Sequence, residues 1–180
     1  DKKIEELSKG MQQKVQFITT ILHEPKLLIL DEPFSGFDPI NTTILKEEIL
    51  KLKEKGTTII FSTHNMASVE ELCDDITLIN KGKSILSGKV SKIRRDFSEN
   101  KVSLEYSNEN EQLVNILQSN YNAVNQSKSD GISKVTLTLQ PNETLNKLLE
   151  IVSPLCQIHS CKEILPRMDE VFIKAVNQNK

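Results

Sequence analysis

The sequence predicts an α/β protein in two parts, a parallel-sheet segment followed by a smaller α+β domain. Three observations carry that prediction. The apolar run Leu27–Leu30 ends in Asp31-Glu32-Pro33, as a strand buried on both faces and delivering two carboxylates would. A second apolar, β-branched run, Thr57–Phe61, follows after one helix-length segment and ends in Ser62-Thr63-His64. From Lys101 onward the elements become shorter and alternate differently.

The first helix opens at Leu7-Ser8-Lys9-Gly10-Met11, with Ser8 as N-cap and Pro25 as its stop. Met11, Val15, Ile18 and Leu22 recur at i, i+4, i+7 and i+11, which is one helical face. A helix start with a serine hydroxyl, a lysine and a glycine suits an anion, above all a phosphate, but also suits an ordinary capped helix. These residues alone leave both readings open. After the acidic pair, Asp38-Pro39 is a helix start with Asp at the N-cap and Pro at the first helical position. That helix runs to about Lys55, buries Leu45, Ile49 and Leu52, and is closed by Gly56.

A strand, a helix and a second strand joined this way form a right-handed parallel crossover. Parallel strands place their carboxyl ends on one sheet edge, where open α/β sheets bind ligands. Asp31, Glu32 and His64 are therefore predicted to converge. Beyond them the sequence reads as a short helix at 67–72, a hairpin of strands at 75–79 and 83–87, and a basic helix at 90–97.

Two stretches imitate a phosphate loop and fail. Gly82-Lys83-Ser84 has Thr77 where the pattern needs a glycine, and Gly82 to Gly88-Lys89 is one residue too long. Composition narrows the class further. The chain has 180 residues, 37% hydrophobic and 27% charged, with a formal net charge of −2. That balance suits a globular protein and argues against a nucleic-acid partner, whose domain is usually basic. No apolar run approaches the ~20 residues that span a bilayer. Three cysteines without a paired framework point to a reducing compartment.

Taken together, these residues resemble the ATP-binding subunit of ABC transporters, specifically the C-terminal part of its P-loop NTPase-type domain. Leu7–Met11, LSKGM, looks like the signature motif usually written LSGGQ; Leu27–Pro33 looks like the Walker B strand with the catalytic glutamate. Ser35-Gly36-Phe37-Asp38 is similar to the D-loop, and His64 to the switch histidine. The resemblance implies ATP and Mg²⁺ as cofactors, with Asp31 holding the metal through water. It implies Glu32 as general base for the attacking water and His64 as the residue that positions it. Ser8, Lys9 and Gly10 would cover ATP held by a second ATP-binding domain, in a homodimer or heterodimer with Asp38 at the seam. A separate transmembrane permease would be the other partner, and the cytoplasmic face of the membrane the location.

Lys9 and Met11 depart from the motif's usual glycine and glutamine. Lys9 either strengthens anion binding or points to solvent. No Walker A loop and no Q-loop occur in the chain, so the resemblance implies a piece of a longer subunit, inactive by itself. Two other readings stay open: a soluble, non-transport ABC ATPase, and a non-catalytic dimerisation or regulatory module.

The second half reads as strand 102–106, helix 111–119, strands 123–127 and 134–139, helix 144–152, strand 155–160 and helix 169–176. Without the last helix, that βαββαβ order is that of a ferredoxin-like sandwich. Domains are expected at 1–97 and 98–180, with Ser98-Glu99-Asn100 as linker. Cys156, His159 and Cys161 have metal-like spacing, but a strand would turn Cys156 away from the other two. The end of the chain, around Pro166–Phe172, resembles the accessory domain of some bacterial ABC exporter ATPases.

Overall fold

A computed structural model describes residues 3–178, which form two compact units divided between Cys73 and Asp74. The first begins with a single 3-10 turn over Ile4–Glu6 and helix α1, Lys9–Ile21. Strand β1, Leu27–Asp31, helix α2, Pro39–Glu54, strand β2, Thr58–Ser62, and helix α3, Met66–Leu72, complete it. β1 and β2 pair in parallel with Leu28 opposite Ile59 and Asp31 opposite Ser62, so their carboxyl ends are level.

α2 lays Leu45 and Ile49 against one face of this sheet, and Leu72 of α3 joins them. Leu30, Ile59, Phe61, Phe34, Phe37 and Phe17 of α1 pack on that cluster. Two expectations need correction. Leu27–Leu30 was expected to be buried on both faces; only Leu28 is buried, while Leu27 is 51% and Ile29 68% exposed. The strand alternates because helices cover a single face of the pair, and Ile60 shares the open side. On α1 the regular stripe is not the packed one. Met11, Ile18 and Leu22 are exposed, and Phe17 turns to the core instead.

The second unit opens with a hairpin of β3, Asp75–Asn80, and β4, Lys83–Lys89, followed by α4, Val90–Asp96. Lys81 and Gly82 both have positive φ in the hairpin turn, the pattern of a two-residue turn matched to strand twist. Then come β5, Lys101–Ser107, α5, Glu111–Tyr121, β6, Val124–Ser129, and β7, Ile132–Thr138. α6, Leu145–Val152, β8, Gln157–Ile164, and α7, Met168–Gln178, finish the chain.

The four later strands form one antiparallel sheet in the order β6-β7-β5-β8, the ferredoxin-like arrangement. Val102, Leu104 and Tyr106 of β5 and Val135 and Leu137 of β7 face Leu113, Leu117, Tyr121, Leu148 and Val152 of the two helices.

The compact units divide ahead of β3, whereas the sequence placed a linker at Ser98–Asn100. The reason is α7, which returns onto α4 and β4. Arg94 Nε donates to the Pro166 carbonyl at 2.8 Å, and Glu99 accepts from Lys101 at 2.6 Å and from Lys174 of α7. Those two Lys contacts hold the Glu99 carboxyl far down, at about 2.

Candidate functional site

The level ends of β1 and β2 build the site. Glu32 follows the last residue of β1 in a left-handed conformation, φ 44°, which side-chain-bearing residues adopt rarely. Its backbone N–H donates to the Ser62 carbonyl at 3.1 Å, extending the ladder by one residue past the strand. Its carboxylate then reaches across to the loop after β2. Oε1 accepts the His64 backbone N–H at 3.0 Å and lies 2.7 Å from His64 Nδ1. Oε2 accepts the Thr63 hydroxyl at 3.3 Å.

A carboxylate only accepts, so the hydrogen of this pair sits on Nδ1 and leaves Nε2 as the second working nitrogen of the ring. The hydrogen bond from the His64 side chain is the main cause that lowers the Glu32 carboxyl below its ordinary value. Burial pulls the other way, and the His64 backbone, its charge and Thr63 add to the lowering. Glu32 is held as an anion, and the His64 side chain beside it is 87% exposed.

Asp31 stands one residue earlier and hydrogen-bonds the Ser62 hydroxyl of the neighbouring strand. By strand alternation Asp31 and Ser62 lie on the open face with Ile29 and Ile60. Among the described residues no cluster of three or more His, Cys, Asp and Glu could cage a metal. A lone exposed carboxylate fits Mg²⁺ all the same, because that ion keeps several waters and takes its remaining ligands from phosphate.

The other sequence-predicted residues stand on two helix starts. Ser8 caps α1 by accepting the Met11 N–H at 3.3 Å. Lys9 is exposed, and a Cβ built on Gly10 would meet nothing within 4 Å. The chain itself therefore imposes no steric need for that glycine. Asp38 caps α2 by accepting the Asn41 N–H at 3.0 Å, and a second bond from the Asn41 side chain adds to it. The Asn41 backbone N–H is the main cause that holds the Asp38 carboxyl below its ordinary range.

Glu32 and His64 are thus brought into contact and Asp31 is placed beside them. Among the described residues no hydrogen bond or ion pair joins Ser8, Lys9, Gly10 or Asp38 to that group. Sequence reasoning missed Ser62 and Thr63 as partners of the two acids. Their signal was legible: hydroxyls at the end of β2, level with carboxylates at the end of β1. It also missed Gln13, which carries no local signal at all.

The chain resembles known proteins along both of its halves. Residues 3–70 match a family model described as AAA domain, putative AbiEii toxin, Type IV TA system, and residues 88–176 match one described as ATP-binding protein DrrA1-3-like, C-terminal domain. The chain is 53% identical over 104 residues to the ABC transporter ATP-binding protein YhaQ of Bacillus subtilis, covering 58% of this chain and 35% of that protein. It is 32% identical over 179 residues to YdbJ of the same organism, an ABC transporter ATP-binding protein, covering 99% of this chain and 56% of that one. A fluoroquinolones export ATP-binding protein of Mycobacterium tuberculosis is 38% identical over 99 residues, covering 55% of this chain and 33% of that protein. A solved ATP-binding subunit of an ABC transporter is 40% identical, with a TM-score of 0.49, covering 52% of this chain and 39% of that one. The chain thus spans between a third and just over half the length of these curated relatives. Signature-like, Walker B-like, D-loop-like and switch-histidine-like segments in that order make the chain similar to proteins described as ABC transporter ATP-binding proteins, and that similarity runs over 99% of the chain in YdbJ.

Proposed function

We propose that the chain is the C-terminal part of the ATP-hydrolysing subunit of an ABC transporter, which drives a separate membrane permease. In this reading residues 1–97 belong to the ATP-binding domain and residues 98–180 form the accessory domain, with α4 as the join. The observation that carries the reading is the Glu32–His64 contact of 2.7 Å at the level ends of two parallel strands.

Bound MgATP would supply the phosphoryl electrophile and the charge of the metal. Asp31 would hold the metal's water shell. Glu32, fixed as an anion by the Thr63 and His64 hydrogen bonds, would take the proton of the attacking water. Those same bonds weaken it as a base, so loss of the His64 bond strengthens it. With Nδ1–H held by the carboxylate, His64 Nε2 is an acceptor and would orient the attacking water.

Ser8, Lys9 and Gly10 would face ATP bound by a second ATP-binding domain, and Asp38 would lie at the seam of that dimer. The free space around Gly10 supports a role toward something outside this chain. Among the described residues no helix is long and apolar enough to cross a membrane. The permease would be a separate partner. The subunit would work at the cytoplasmic face, without nucleic acid.

The test uses the full-length protein expressed with its membrane fraction. Mg²⁺-dependent ATP hydrolysis should fall by roughly a hundredfold in His64→Ala, the scale on which lost general-base and positioning groups are felt. A membrane-spanning protein should co-purify with the unsubstituted form. Full-rate hydrolysis by His64→Ala would overturn the site, and the lack of a membrane-spanning partner would overturn transport.

A further inference from the structure

Resting on the reading of Glu32 as the base, we infer that Gln13 is a positioning residue for that carboxylate, acting through the Ser35 carbonyl. Gln13 Nε2 donates to Ser35 O at 2.8 Å, a bond spanning 22 residues from α1 to the loop after β1. A carbonyl only accepts, so the amide nitrogen must face it, and this orientation is fixed. The amide oxygen then lies over Gly36, 3.4 Å from where a Cβ would stand. That oxygen is buried and has no hydrogen-bond partner among the described residues.

A buried amide oxygen without a partner is costly and uncommon, so the side chain is not placed there for stability alone. What it holds is the outer end of a turn. Ser35 N–H donates to Glu32 O at 3.0 Å, closing residues 32–35, and Glu32 sits in that turn at φ 44°. On the sheet side Glu32 is fixed by its N–H on Ser62 O at 3.1 Å. On the loop side the Phe34 and Phe37 rings are packed on the core, and the Gln13 amide adds the polar anchor at Ser35 between them. Without that anchor the Ser35 end of the turn can shift, and with it the carboxylate relative to Thr63 and His64. A misplacement of about 1 Å is enough to cost on the order of a hundredfold in rate.

Two substitutions separate the donor from the acceptor. Gln13→Glu keeps the shape and replaces the donor with an oxygen that repels the Ser35 carbonyl. Gln13→Lys keeps a donor of sufficient reach and discards the unpartnered oxygen. In the full-length protein Gln13→Glu should lower kcat by about tenfold or more with KM for ATP within about twofold, and Gln13→Lys should stay within about threefold of the unsubstituted enzyme. In the 180-residue chain, amide hydrogen exchange at residues 35–38 should quicken in Gln13→Glu and not in Gln13→Lys. Glu32→Gln is assayed in parallel. Unchanged turnover and exchange in Gln13→Glu, with Glu32→Gln inactive, would overturn the role of Gln13 while leaving the site intact. Equal losses of kcat in Gln13→Glu and Gln13→Lys would also overturn it. Full turnover by Glu32→Gln would overturn the reading on which it rests.

Discussion

His64 Nδ1 lies 2.7 Å from Glu32 Oε1, and the same oxygen accepts the His64 backbone N–H at 3.0 Å. One carboxylate oxygen is thereby clamped twice by one residue from the neighbouring strand's loop. The consequence is an acid that stays ionised and a ring whose tautomer is fixed.

His64→Ala removes the largest cause of the lowered Glu32 value, so the carboxyl should titrate closer to its ordinary range. Carbon NMR of the Glu32 side chain across an acid titration checks this. The backbone bond and Thr63 remain, so the return should be incomplete.

Gly10→Ala should leave the fold intact. Nothing lies within 4 Å of the added Cβ, and alanine favours a helix over glycine by up to about 1 kcal/mol. Urea unfolding of this chain should show equal or higher stability, while ATP-dependent pairing of the full-length protein should weaken. A loss of stability would mean the glycine serves the chain's own packing.

Gly36→Ala should behave oppositely. Gly36 has φ +82°, and a Cβ there would lie in van der Waals contact with the Gln13 amide at 3.4 Å. The left-handed backbone alone costs an alanine about 1–2 kcal/mol, measurable as a lower urea midpoint.

The second unit should weaken in acid through Glu99. Its carboxyl is lowered from 4.5 to about 2 by Lys101 and Lys174. A lowered carboxyl contributes stability above its unfolded value, and that contribution fades as pH falls toward 2. Glu99→Gln should flatten the loss of unit stability between pH 4.5 and 2, followed by tryptophan-free probes such as far-UV circular dichroism. The carboxylate is half exposed, so the effect should be modest and reduced by salt.

Much of this fold was written in local chemistry. Asp38-Pro39 starts α2 where expected, and the Lys81-Gly82 and Asp130-Gly131 pairs, all at positive φ, close their hairpins. The βαββαβ order sufficed for the sheet order β6-β7-β5-β8. The remainder depended on contacts distant in sequence. A continuous apolar run such as Leu27–Leu30 reads as buried on both faces, and nothing local says that Ile29 is left uncovered. The return of α7 onto α4, which moves the unit boundary ahead of β3, has no mark at Ser98–Asn100. At the site, Asp31, Glu32 and His64 followed from parallel-strand geometry, whereas Gln13 on Ser35 is a tertiary bond without a motif.

The most direct test of the central claim is ATP turnover by Glu32→Gln in the full-length protein, measured beside its ATP-dependent dimerisation. Turnover should be abolished while ATP still holds two ATP-binding domains together. Hydrolysis at the unsubstituted rate would contradict the assignment of Glu32 as the base.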